Sequence, residues 1–168
     1  MLHYTKIDYR RVAYGGGLAG AIASQFGFLQ LFNNSPSVEY LLVRNWNVFT
    51  ATADPYFAIV TQTNLAGTAQ PIVAGMPTEA PPPGIVSVGA SLTAITTGWL
   101  YYPASTVSGG WPFDYPFALV PPGWYFTTQC QAANVNARLA VWWQAIKPEQ
   151  LDPDRLELAD FALAAQNG

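Results

Sequence analysis

The stretch Val135-Asn136-Ala137-Arg138-Leu139-Ala140-Val141-Trp142-Trp143 decides the fold. Val135, Ala137, Leu139, Val141 and Trp143 fall on one side, while Asn136, Arg138 and Gln144 fall on the other. A period of two is the spacing of a strand with one face in a core and one outside it. On this reading Trp142 projects from the outer side and needs another layer to cover it.

The same alternation recurs upstream. Trp124, Phe126, Thr128 and Cys130 share one face of a strand, opposite Tyr125, Thr127, Gln129 and Gln131. From Val38 to Val48 the alternate positions Val38, Tyr40, Leu42, Trp46 and Val48 are apolar, interrupted at Arg44. The opposite positions hold Glu39, Asn45 and Asn47 but also Leu41 and Val43. Gln25–Phe32, Tyr56–Gln62, Ile85–Leu92 and Gly98–Tyr102 are further strand candidates, rich in β-branched and aromatic residues. Turn residues separate them at Asn33-Asn34-Ser35-Pro36, Ala53-Asp54-Pro55, Pro81-Pro82-Pro83-Gly84, Ser108-Gly109-Gly110 and Pro121-Pro122-Gly123. Short strands punctuated this often describe a mostly β, antiparallel sandwich or barrel. The 14 prolines agree, because proline is costly inside helices.

One helix is expected. Asp152-Pro153 is a good N-cap and first-turn pair, Asp154 and Glu157 sit near the positive helix end, and Leu156, Ala159, Phe161 and Leu163 form an apolar side. It reads either as a lid on the sandwich or as an arm docking on a neighbour. Leu65–Gly84 and the stretch from Pro103 to Pro116 read as long excursions. The organisation expected is one domain, with an arm or first strand over 1–14, a sandwich over 15–147, and a helix and tail over 148–168.

Composition narrows the function classes. Of 168 residues 51% are apolar and only 10% charged, against roughly 25% charged in average soluble domains. Between Val12 and Ala137 only Glu39, Arg44, Asp54, Glu79 and Asp114 carry charge. A surface so poor in charge is most simply accommodated by burying part of it against another copy or another protein. The net charge is −3 and no basic stripe appears, so nothing is built to neutralise nucleic-acid phosphates. Gln, Asn, Gly or Pro interrupts every apolar run, so no membrane span is expected. Arg10-Arg11 precedes an apolar stretch, but Gly15, Gly16, Gly17 and Gly20 argue against a leader.

Catalytic constellations are not expected. The single histidine, His3, would have to reach Cys130, whose neighbours place it on an inward face as an inert thiol. One His and one Cys cannot build a zinc site, no calcium loop appears, and the Gly15–Gly17 run lacks the Lys-Ser/Thr ending of a phosphate loop. No cofactor is implied. A glycosidase reading would rest on Asp54 and Asp114, each isolated in sequence and each resembling a turn residue. Asn33-Asn34-Ser35 matches a glycosylation sequon, which a turn also explains.

The aromatic residues remain. Trp124 and Trp143 belong to the core by alternation. Trp99, Tyr101, Tyr102, Trp111, Phe113 and Tyr115 gather around loops and, with Trp142, are candidates for a subunit interface or a sugar-stacking platform. Arg10, Arg11, Leu156 and Phe161 are candidates for docking arms.

Two stretches resemble a known group. Leu31-Phe32-Asn33-Asn34-Ser35-Pro36-Ser37-Val38-Glu39-Tyr40-Leu41-Leu42-Val43 resembles a recurrent segment of tailed-bacteriophage structural proteins, a strand, a turn and a new apolar strand. Pro121-Pro122-Gly123-Trp124-Tyr125, leading through Asn134 and Asn136 to Leu139-Ala140-Val141-Trp142-Trp143, is similar to their closing hairpin. The resemblance implies a small jelly-roll sandwich, often trimeric, that decorates or cements a capsid or forms part of a tail, neck or fibre. It implies self-association, contact with virion proteins such as the major capsid protein, assembly in the host cytoplasm, location in the virion and no catalysis. A carbohydrate-binding module with Trp99, Tyr101, Tyr102 and Trp111 as its platform is the alternative expectation.

Overall fold

A computed structural model describes residues 7–50, 55–101, 109–110 and 118–150. After a 3-10 turn at Tyr9–Arg11, the strands are β1 (Val12–Ala19), β2 (Phe26–Phe32), β3 (Tyr40–Thr50), β4 (Tyr56–Thr61), β5 (Thr68–Ala69) and β6 (Ile72–Ala74). There follow β7 (Ile85–Ser91), β8 (Trp99–Tyr101), β9 (Gly109–Gly110), β10 (Ala118–Val120), β11 (Tyr125–Ala133) and β12 (Ala137–Ile146), then a 3-10 turn at Pro148–Gln150. The mostly β expectation therefore holds. The helix expected after Asp152 lies outside the described residues.

The strands form two antiparallel sheets packed as a sandwich. Sheet A has the order β10-β3-β12-β1-β6, with β9 also paired to β3; sheet B has the order β5-β7-β2-β11-β4-β8. From β1 to β4 the chain changes sheet at every strand, and β10, β11 and β12 alternate in the same way. The excursion Leu65–Gly84, between β4 and β7, is not one long loop. Its β5 pairs with β7 at the edge of sheet B, and its β6 pairs with β1 at the edge of sheet A. Alanine, proline and threonine leave such short segments without a periodic pattern, so only edge pairing reveals them.

The core lies between the sheets. Leu139, Val141 and Trp143 of β12 meet Leu29 and Leu31 of β2, Phe126 and Cys130 of β11, and Val86 and Val88 of β7, all buried. Trp46 packs edge-on against Tyr56 (centroids 6.4 Å apart, 84°) and Phe126 (5.9 Å, 70°), tying β3 to two strands of the opposite sheet. Such aromatic pairs contribute about 0.5–1.5 kcal/mol beyond area burial. Trp143 is fully buried, as alternation required, and its Nε1 donates to the Pro83 carbonyl at 2.8 Å. The Pro-rich turn continues over the indole at Gly84, whose φ of +138° and closeness to the ring (a Cβ would lie 2.8 Å from it) exclude a side chain.

Two details correct the pattern read from the sequence. Alternation in β3 does not run unbroken from Val38 to Val48. The register against β12 passes from Val43↔Trp143 to Asn45↔Trp142, so Arg44 is the extra residue of a bulge. Leu41 and Val43 face the core before it, and Trp46 and Val48 after it. One inserted residue exchanges the faces, which is why both sides of this strand look apolar in sequence.

The second detail concerns the glycine run, which lies within β1 and pairs with β12 from Val12↔Gln144 to Ala19↔Ala137. Glycine lowers strand propensity but permits close approach. A Cβ on Gly15 would sit 2.7 Å from Val86 Cγ2 of the facing sheet, and one on Gly16 would collide with the Leu139 carbonyl.

Candidate interaction surfaces

The outward side of sheet A is built from alternate positions of four strands. Tyr14 lies across from Trp142 and from Val73, Gly16 from Ala140, and Leu18 from Arg138. On β3 the outward residues Asn45, Asn47 and Phe49 lie across from Trp142, Ala140 and Arg138. The Tyr14 and Trp142 rings stack, with centroids 5.7 Å apart and planes 7° from parallel. Leu18 is 64% exposed, Val73 65%, Tyr14 43% and Phe49 42%. Arg138 is the only charged side chain in this set of strand residues.

The face changes character toward the end of β12. Leu42 and Ile146 are buried there with Tyr40 and Leu119 packed against them, and buried Arg44 donates from Nη2 to Gln144 Oε1 at 2.8 Å. The first 3-10 turn packs against β12 at this end. Arg11 donates from Nε to the Ala145 carbonyl (3.0 Å) and from Nη2 to Glu39 (2.7 Å), with Glu39 itself buried. Arg10 pairs with Asp8 at 3.0 Å. The guanidinium hydrogen bond from Arg10 lowers the Asp8 carboxyl below its ordinary range, and the same bond raises Arg10. Both arginines named as docking-arm candidates are thus engaged within their own chain.

The outward side of sheet B is organised differently. Its residues Phe28, Gln30, Thr127 and Gln129 are fully buried although they point away from the core. Two glutamines hold loops over them. Gln30 accepts from Leu65 N (2.8 Å) and donates to the Thr63 carbonyl (2.8 Å) and to Thr127 Oγ1 (2.9 Å). Gln129 accepts from Ile95 N (2.6 Å) and donates to the Thr93 carbonyl (2.8 Å). Each primary amide grips the carbonyl of one loop residue and the N–H two residues on, as a neighbouring strand would. Gln131 adds a longer bond of 3.3 Å to the Ile95 carbonyl.

The remaining sequence candidates divide as follows. Trp142 stands on the outer face of sheet A as expected, half-buried by Tyr14. Trp99 and Tyr101 fall in β8, where their backbones pair with Ala58 and Tyr56. Tyr102, Trp111, Phe113, Tyr115, Leu156 and Phe161 lie outside the described residues, as do His3, Asp54 and Asp114. Cys130 is buried in the core. Asn33 of the sequon is also buried, and its Nδ2 donates to the Glu39 and Val120 carbonyls at 2.8 Å each. It is a brace between β2, β3 and β10, closed to glycosylation.

Sequence reasoning missed Tyr14, Leu18, Phe49 and Val73, because the first two flank a glycine run and the others sit at a strand end and in a short edge strand. It also missed the two glutamine clasps. Their signal is an uncharged amide at an outward strand position where lysine or glutamate would serve a solvated face. Comparison with protein-family models, with curated proteins and with solved structures found no match to this chain.

Proposed function

We propose that this chain is a virion structural protein of a tailed bacteriophage, a trimer that decorates or cements the capsid by surface contact. The observation that carries this reading is the outward face of sheet A. Tyr14, Leu18, Phe49, Val73 and Trp142 lie side by side on a regular sheet with one charge among them, a grouping that marks an interaction site rather than scattered exposure. Apolar rings and aliphatic groups form its centre, and Asn45, Asn47 and Arg138 its polar rim, as in protein interfaces. Low overall charge supports the same reading.

The topology supports a jelly roll. With β5, β6, β7 and β9 set aside, β1-β12-β3-β10 faces β2-β11-β4-β8, the strand order of an eight-stranded jelly roll. The segment after Asp152 completes the proposal as an amphipathic helix with Leu156 and Phe161 on its apolar side. A tail, neck or fibre position is the neighbouring reading, since contact chemistry there is the same.

The test is the solution mass of the purified chain by light scattering after size exclusion, followed by co-sedimentation with phage capsids. A stable trimer that pellets with capsids is the expected result. A monomer with no affinity for capsids or tails overturns the proposal.

A further inference from the structure

A cleft of about 190 Å³ opens on the outward side of sheet B, between the two loops that the glutamines hold. Its floor is Ile59, Thr61 and Thr127, on β4 and β11. Thr63 and Leu65 form one wall and Ile95 with Thr97 the other. Among the described residues the lining contains no charged side chain. Thr63 and Thr97 are exposed at the rim, and a threonine hydroxyl both donates and accepts. Beside the cleft Tyr125, across from Thr61 on one strand and from Phe32 on the other, stacks on Phe32 with centroids 4.6 Å apart.

We propose that this cleft binds a neutral sugar unit. Three features select that ligand class. Hydroxyl groups interleaved with Ile59, Leu65 and Ile95 match a ring that presents both hydroxyls and C–H faces. The Tyr125–Phe32 pair lies outside the lining but next to Thr61 in register, and offers an adjoining surface for the apolar face of such a ring. The uncharged lining offers no counter-ion, so acidic sugars and phosphates are disfavoured. The volume lies below the roughly 300–1,000 Å³ of sites for drug-sized ligands and therefore suits a single ring.

Rigidity strengthens the case. Both walls are already fastened through Gln30 and Gln129, so binding need not order a loop. The cleft belongs to the sheet opposite the apolar face of sheet A, and the inference stands apart from the assembly reading.

The test is an NMR titration of the isotopically labelled full chain with glucose, galactose, mannose and N-acetylglucosamine, and with sialic acid as the charged comparison. At least one neutral sugar is expected to give saturable shifts confined to residues 59–65, 93–97 and 125–127. The double variant Thr63→Val and Thr97→Val, at exposed positions, is expected to weaken that binding about tenfold, or about 1.4 kcal/mol, without changing the thermal midpoint. Absence of saturable shifts with all four sugars overturns the proposal. So do shifts that the double variant leaves unchanged, and tighter binding of sialic acid.

Discussion

The two sheets of this sandwich present opposite solutions to the same problem. Each has an outward surface that carries large apolar side chains. On sheet B, Phe28 is fully buried beneath the chain's own loop, with Gly67 close over its ring, and Gln30 and Gln129 keep the loops in place. On sheet A, Tyr14, Leu18, Phe49 and Val73 stay exposed, and Trp142 is covered on one side by a neighbouring ring. Among the described residues, polar clasps hold loops over one face, and the other keeps apolar side chains exposed. The covered face contributes to folding, and the exposed one is suited to contact.

The largest expected effect tests that division directly. Leu18→Glu with Val73→Glu places two carboxylates in this face and should convert the proposed trimer to a monomer, read by light scattering. Because both positions are exposed, urea unfolding of that monomer should change by no more than about 0.5 kcal/mol apart from the lost association. An unchanged mass would remove sheet A from the interface.

Next in size, Gln30→Leu or Gln129→Leu should destabilise the fold by about 1–3 kcal/mol each, since part-buried loop N–H and carbonyl groups lose their partners. The urea midpoint should fall while the mass stays constant, and proteolysis should begin in the freed loop. Gln30→Leu should cost more, as the Gln30 side chain makes three hydrogen bonds and that of Gln129 two.

Smaller still, Tyr14→Ala should lower the stability of the charge-disrupted monomer by about 0.5–1.5 kcal/mol through loss of the stacked pair. A null result would mean that Trp142 holds its position without its neighbour.

The smallest effect concerns Asp8. Its carboxyl is lowered by the hydrogen bond from Arg10, so the pairing is present above the ordinary carboxylate range and is lost as pH falls through the lowered value. An NMR titration should place Asp8 below an unpaired aspartate, and Arg10→Ala should return it upward with little change in stability, since the pair is exposed.

Strand by strand, legibility followed periodicity. β12 and β11 were readable because Ala137, Leu139, Val141 and Trp143, or Phe126 and Cys130, alternate without interruption into a common core. β1 was hidden, because strand propensity falls at Gly15, Gly16 and Gly17 and the reason for glycine there is the proximity of Val86 and the Leu139 carbonyl on other strands. The inward side of β3 was readable only in halves, since the bulge at Arg44 exchanges faces and shows itself only against a partner strand. Of the candidate surface, Trp142 was legible from alternation, whereas Tyr14 and Val73 become its neighbours through pairing of β1 with β12 and β6.

The amino-acid sequence by itself determined the β class, the position of most strands, the burial of Trp143 and Cys130, and the scarcity of charge, because each is a matter of local period or composition. Tertiary structure decided which strands share a sheet, where the parity of β3 changes, and which outward surface is covered. Those depend on contacts between residues far apart in the chain, such as Gln30 with Leu65 and Gln129 with Ile95, and no local pattern encodes a partner's distance.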